Sequence, residues 1–387
     1  MIYANLPLGS AHGWGVCGKY ISRELSRLDP LRLITAPFDA STVGDALELH
    51  ELKGLVLGDP EAARFRTAQG TIQLDGPLLQ CIEDHTLAPM QPELRGTITL
   101  GYTFFEFNLL RPEWIDQGRR LFHRVATGSS WCTQVLTEAG LQNSATVIQG
   151  VDPTIFYQAS GREGKREFLA DKFVVFSGGK FELRKGQDIV IRAFKVLQDR
   201  HRDVVLVNAW YNAWPSSMES MRASSLIRLA PRSGSHTQIV NGILADNGID
   251  LQRVITVPPQ PNFAMARIYR NSDVGLFPNR CEGGTNLVLM EYMACGKPVV
   301  AVNTTGHADI VNPGNAVVIE SKGALNINFQ GRPAARWPEP DLDDAIAKLE
   351  WAYQNREPLR RLGGQAGCDL SRYTWRKTAE EFQKLLH

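Results

Sequence analysis

The chain has 387 residues, 43% hydrophobic and 21% charged, an ordinary globular composition. Its 42 basic and 41 acidic residues leave a net charge of +1, so no global basic field points to nucleic acid. The length exceeds one comfortable core and favours two domains of about 150–200 residues each.

The six cysteines, Cys17, Cys81, Cys132, Cys281, Cys295 and Cys368, are scattered without a C-x-x-C pair or a histidine cluster. That pattern suits a reducing compartment and argues against a structural zinc site, so no metal is expected. The start, "MIYANLPLGS", lacks a basic segment followed by an apolar one, and no apolar run reaches the roughly 20 residues of a spanning helix. The expectation is a soluble, cytoplasmic protein.

Short apolar runs recur along the chain and end at Gly, Pro, Asn or Asp. The first half holds "MIYANLP", "LRLITAP", "KGLVLGD", "LLQCIED", "GTITLGY", "HRVATGS" and "ATVIQG". The polar stretch 158–172 then reads as a linker. The second half holds "KFVVFSGG", "VVLVNAW", "VITVPP", "DVGLFP", "KPVVAV" and "AVVIE". Helix-period stretches such as "GQDIVIRAFKVLQDR" and "NFAMARIYRNS" lie between several of them. Continuous apolar strands alternating with helices indicate parallel sheets buried on both faces, here two doubly wound α/β domains. The Ser- and Arg-rich segment 214–238 reads as a partly mobile insertion near the cleft between them. The C-terminal stretches "PDLDDAIAKLEWAYQNREPLRRLGGQAG" and "TWRKTAEEFQKLL" read as amphipathic packing helices.

In open α/β sheets ligands bind beyond the carboxyl ends of the strands, so residues directly after strands carry the chemistry. Two such turns stand out. After "DVGLFP" comes "NRCEGGTN", then the helix "LVLMEYMA", stopped at Gly296 and followed by the strand "VVAV". Gly283 and Gly284 let backbone N–H groups face a ligand, Thr285 or Asn286 can cap the helix, and the helix start favours an anion. Glu291, about one turn into the helix, suits a pair of sugar hydroxyls; the plainer alternative leaves it on a solvated face. After "KFVVF" comes "SGGKFELRKGQD". There Gly178 and Gly179 open the turn, and Lys180, Arg184 and Lys185 flank a helix start as a diphosphate cradle.

Together these stretches resemble the retaining group 1 family of GT-B glycosyltransferases, over most of the chain. The counterparts of the family's motifs are "AHGWGVCGKYI", "GGKFELRKGQD" and "EGGTNLVLMEYMACGKPVV", with smaller echoes in "GYTFFEFNLLRPEW", "TGSSWCTQVLTEAGL" and "ATVIQGVDPTIF". The resemblance implies two Rossmann-like domains facing across a cleft: 1–160 on the acceptor side, 161–370 for the nucleotide sugar, and a helix in 371–387 returning to the first domain. It implies that Lys180 and Lys185 contact the diphosphate, that Glu291 binds ribose hydroxyls and that Glu282 touches the sugar. Gly179, Arg184, Gly283, Gly284, Thr285, Asn286 and Leu287 would complete the donor site, and Gly13 and Gly15 would approach the phosphates from across the cleft. Glu282 and Glu291 stand one residue farther apart than the family's usual pair. Either the turn carries an inserted residue or Gly283 takes the first glutamate's place. His12, His85 and Glu106 are the candidates for the sugar or acceptor neighbourhood.

The sole D-x-D, Asp341–Asp343, follows proline and reads as a helix cap rather than a metal site. Lys180, Lys185 and the helix starts can stabilise the leaving diphosphate as preorganised electrostatics. The resemblance therefore implies metal-independent, retaining transfer from a nucleotide diphosphate sugar, a substrate rather than a cofactor. The acceptor would be a carbohydrate, a lipid-linked molecule or a protein, which leaves room for peripheral membrane contact. The rival expectations are a GT-B phosphorylase or epimerase, and a non-catalytic nucleotide-sugar-binding protein. Base recognition is expected in "VPPQPNF" (257–263).

Overall fold

The computed structural model describes residues 1–35, 38–58, 65, 70–83, 85–159 and 166–387. Most of the apolar runs form two mainly parallel sheets whose inner strands are buried on both faces, while the edge strands Ser144–Thr146 and Val254–Thr256 are partly open. In the first sheet the spatial order is Leu31–Leu33, Ile2–Asn5, Leu78–Glu83, Thr99–Thr103, Arg124–Thr127 and Ser144–Thr146, with Ala88–Pro89 added antiparallel beside Leu78–Glu83. In the second it is Val254–Thr256, Val204–Trp210, Phe173–Gly179, Val274–Phe277, Val299–Val302 and Val317–Ile319. "KGLVLGD" departs from expectation: Val56 makes an isolated parallel bridge to Leu33 instead of a strand, and Asp59 lies outside the described residues.

Both sheets are wound outward from a central reversal. In the second, the chain steps one way from Phe173–Gly179 to Val204–Trp210 and the other way from Val274–Phe277 to Val299–Val302. The two turns singled out in the sequence follow the two strands that flank this switch point, where an open α/β sheet forms its crevice. In the first sheet, the Leu6–His12 loop likewise follows the central strand Ile2–Asn5.

The junction expected at 160/161 falls within residues 160–165, outside the described ones. Beyond it, the helix Leu342–Gln354 starts at Asp341, whose carboxylate accepts from the Asp343 and Asp344 N–H groups, so the D-x-D is a cap. The last helix, Trp375–Leu386, packs on the helix Gly13–Ser26 of the first half: Trp375 stacks on Tyr20 at 5.2 Å, and Gln383 donates to Asp29.

One element was not foreseen. Ser321–Phe329 and Arg332–Pro340 form an antiparallel hairpin that reaches the first half of the chain. There Leu109 N–H donates to Ala334 O (3.0 Å) and Trp337 Nε1 donates to Glu106 O (2.7 Å). None of the described helices is long and apolar enough to cross a membrane.

Candidate functional site

The first loop leaves its strand at Gly178 and Gly179, the latter with φ of 112°. It ends at Gly186 (φ 72°), where an added Cβ would lie 2.0 Å from the Pro278 carbonyl oxygen. Only glycine fits that close approach, and it locks the loop against the turn after Val274–Phe277. Arg280 N–H then donates to Arg184 O (2.8 Å), so the two loops form one unit.

Three cations meet there, and each already faces a carboxylate. Lys180 Nζ lies 3.0 Å from Glu182. Arg184 lies 2.9 Å from Glu182, 3.1 Å from Glu106 and 3.3 Å from Glu282. Lys185 Nζ lies 2.6 Å from Glu282. Burial alone would push the Glu282 carboxyl up, but Lys185 and Arg184 outweigh it and hold the group at about 2. Burial lowers the Lys185 ammonium, with Glu282 partly offsetting that. Burial also works against the Arg184 charge, yet Glu106, Glu182 and Glu282 together raise its pKa. The sequence showed the cations but not that Glu106 and Glu182 neutralise two of them.

The second turn is pressed against the first half of the chain. A Cβ on Gly283 would lie 2.4 Å from Phe105 O, and one on Gly284 would lie 2.6 Å from Gln149 Oε1. Ser129 Oγ donates to Gly283 O at 2.7 Å. Gly283 therefore lets backbone meet backbone and Gly284 makes room for the Gln149 and Phe104 side chains, so neither leaves open space. The expected side-chain cap is absent: Asn286 occupies the cap position of Leu287–Ala294 with φ of 64° and makes no capping bond, while Thr285 Oγ1 donates to Met290 Sδ. Asn tolerates this left-handed φ better than most residues, and here it turns the chain without capping the helix. Asn286 Nδ2 instead lies 3.2 Å from Nε2 of the buried His307, whose pKa burial lowers to about 4. Because the Gly283 position has no room for a side chain, the carboxylate of the turn is that of Glu282, turned toward Lys185 rather than outward.

Glu291 is buried on that helix and accepts from Asn262 Nδ2 and from Tyr269 OH (3.2 Å). Burial raises its pKa to about 8, the two hydrogen bonds offsetting only part of this. Below that pH the group is a carboxylic acid, with one O–H to donate and an acceptor capacity that Asn262 and Tyr269 do not exhaust. Asn262 belongs to the 257–263 loop, and its N–H donates to Ser10 O (2.9 Å), which brings the first loop of the chain to the same place.

That first loop leads into the helix Gly13–Ser26, capped by His12, whose Nδ1 accepts from Gly15 N–H (3.1 Å). Gly13 faces open space, whereas a Cβ on Gly15 would meet Gly9 at 2.9 Å. His12 sits edge-on to Trp214 (5.5 Å), and Lys180 Nζ lies 5.6 Å from the Trp214 ring, so the 214–238 segment borders the cation loop. Burial, and Lys180 secondarily, lower the His12 pKa. Glu106 reaches Arg184. His85 does not join this group; its ring packs on Phe107, Trp114 and Phe329 in an aromatic cluster beneath the hairpin.

Sequence reasoning also missed Arg280. It is buried, paired bidentately with buried Asp188 (2.8 and 2.9 Å) and with Glu339 at the hairpin base (2.7 Å), and it donates to Leu183 O. Its position inside the turn "NRCEGG" was the available signal. Two surface cavities lie elsewhere. One, of about 540 Å³, lies between Val318 and Trp351; the other, of about 250 Å³, lies between Phe156 and Leu370. Among the described residues no group of three or more His, Cys, Asp or Glu side chains is placed to hold a metal ion.

Residues 171–326 match the family model described as glycosyl transferases group 1. The chain is 28% identical over 202 residues to a D-inositol 3-phosphate glycosyltransferase of Nocardia farcinica, covering 52% of this chain and 37% of the relative. It is 26% identical over 233 residues to one of Paenarthrobacter aurescens, covering 59% and 48%. The aligned part thus spans less than half the length of either relative. Among solved structures, sucrose-phosphate synthase of Thermosynechococcus elongatus superposes with a TM-score of 0.68 at 13% identity, covering 100% of this chain and 98% of that one. Anabaena HepE in complex with UDP and glucose superposes with a TM-score of 0.66 at 14% identity, covering 100% and 98%. These likenesses show the GT-B fold over the full chain.

Proposed function

We propose that this GT-B chain, whose residues 171–326 match the group 1 glycosyl transferase model, moves a sugar from a nucleotide diphosphate sugar to an acceptor hydroxyl. The observation that carries the reading is the joining of two loops at the switch point of the second sheet. One brings Lys180, Arg184 and Lys185, and the other opens the helix that bears Glu291. In this reading Lys180 and Lys185 oppose the charge that develops on the leaving diphosphate, in a site built before the reaction begins. Glu291, with an O–H to donate and acceptor capacity left over, takes the ribose hydroxyls, and the Asn262 loop lies beside the base. His12, Gly13 and Gly15 face the donor from the first half of the chain.

Retention of configuration comes from the family resemblance, and metal independence from the cations that do the work of a metal. The acceptor is a carbohydrate, a lipid-linked molecule or a protein. A cytoplasmic location fits six unpaired cysteines, and a lipid-linked acceptor would bring the chain to a membrane surface.

A second reading, a GT-B nucleotide-sugar-binding protein with altered or no transfer chemistry, is favoured by one observation. The cations are already matched by Glu106, Glu182 and Glu282. Release of nucleoside diphosphate from sugar nucleotides, with and without acceptor mixtures, separates the two. Acceptor-dependent release supports transfer, whereas tight donor binding without release under any acceptor supports the second reading.

A further inference from the structure

We propose that Glu106 and Glu282 act as built-in anions on Arg184 and Lys185, standing where a ligand's diphosphate binds, so that the donor enters by displacing two carboxylates. This rests on the donor-site reading above and adds how the site is regulated.

The charges make the case. Three cations, Lys180, Arg184 and Lys185, meet three carboxylates at 2.6–3.3 Å, so the loop carries no net charge with which to attract an anion. Glu182 belongs to the loop itself. Glu106 instead reaches over from the first half of the chain, and its side chain remains 27% exposed. It is also part of the segment whose backbone blocks the second turn, since Phe105 O sits where any side chain on Gly283 would be. Withdrawing that segment therefore does two things at once: it frees Arg184 and it uncovers the Gly283 turn. Glu282 stays with the second half, attached to Asn279 as well as to Lys185, and gives up the ammonium when a diphosphate with more charge arrives. Trp337 Nε1 holds Glu106 O at 2.7 Å, so the hairpin keeps the first carboxylate in place until the cleft opens.

If the carboxylates merely position the cations, removing their charge weakens anion binding; if they stand in for a ligand, it tightens binding. Calorimetric titration with inorganic diphosphate reads this sign directly for the wild type, Glu106→Gln and Glu282→Gln. Each variant should bind at least about tenfold tighter than the wild type, one unit of repulsion a few ångströms away being large enough for that. Glu106→Gln keeps the test alive if Glu282→Gln unfolds, because Glu106 is partly exposed. Unchanged or weaker binding by Glu106→Gln, or no binding by any of the proteins, overturns the proposal. A parallel titration with UDP keeps it distinct from the donor reading. Tighter diphosphate binding without UDP binding retains the built-in anions and removes the nucleotide; UDP binding without the gain does the reverse.

Discussion

Replacing Lys185 by methionine removes an ammonium 2.6 Å from Glu282 while roughly preserving the length of a buried side chain. Glu282 then keeps Arg184 at 3.3 Å and the Asn279 amide, but it has lost its nearest counter-charge in a site almost closed to water. Breaking one partner out of a buried pair costs about 3–5 kcal/mol, and the surviving partners put this case near 3. For a domain of this size each kcal/mol lowers Tm by about 2–4 °C, so a fall of about 6–12 °C is expected in a thermal melt. Turnover of a confirmed donor should drop at least about a hundredfold, the usual effect of removing one preorganised group that stabilises developing charge. The double variant Lys185→Met/Glu282→Gln separates the two roles. It should recover more than half of the lost Tm, because the stranded charge is gone, and none of the turnover. Near-normal turnover in the single variant, or its recovery in the double, would refute the assignment of Lys185 to the leaving group.

Two further outcomes follow from the same geometry. Glu291 is raised from 4.5 to about 8, so the folded chain holds a proton that the unfolded chain releases; stability is therefore favoured at low pH and falls by up to about 1.4 kcal/mol per pH unit between about 4.5 and 8. Glu291→Gln should flatten that slope in melts taken from pH 5 to pH 8 while weakening nucleotide binding, and an unchanged slope would place the proton elsewhere. Gly283→Ala puts a methyl 2.4 Å from Phe105 O, which should cost about 1–3 kcal/mol and open the contact between the two halves. Scattering and limited proteolysis read that opening, and a variant as compact and resistant as the wild type would contradict it.

The sheets were legible because strands such as "KFVVFSGG" and "DVGLFP" are continuous apolar runs, the mark of burial on both faces. The cation loop was legible because Gly178, Gly179 and the lysines stand directly after a strand and before a helix. The partners were not: Glu106, Asn262 and Tyr269 meet Arg184 and Glu291 only through tertiary folding, and no local pattern ties a residue at 106 to one at 184. Asn286 hid a left-handed position that glycine would have announced. The hairpin did leave a trace that went unread. Leu325, Ile327 and Phe329 alternate with Asn326 and Asn328, and Gln330–Gly331, with φ of 52° and 73°, make its turn. Pro333 and Pro338 make the returning strand hard to recognise from its sequence, because proline cannot donate to a ladder. His85 was a candidate by residue type alone, and no local pattern placed its ring among Phe107, Trp114 and Phe329, apart from the cation loop.

The most direct test is a thermal-shift panel of UDP, GDP, ADP and their common sugar conjugates on the wild type, Lys185→Met and Glu291→Gln. One base should raise the wild-type Tm in a concentration-dependent way, through its binding to the folded state alone, and both variants should lose most of that shift. A wild type indifferent to every nucleotide, or a shift that survives both substitutions, would contradict a donor site built from these lysines and this carboxylate.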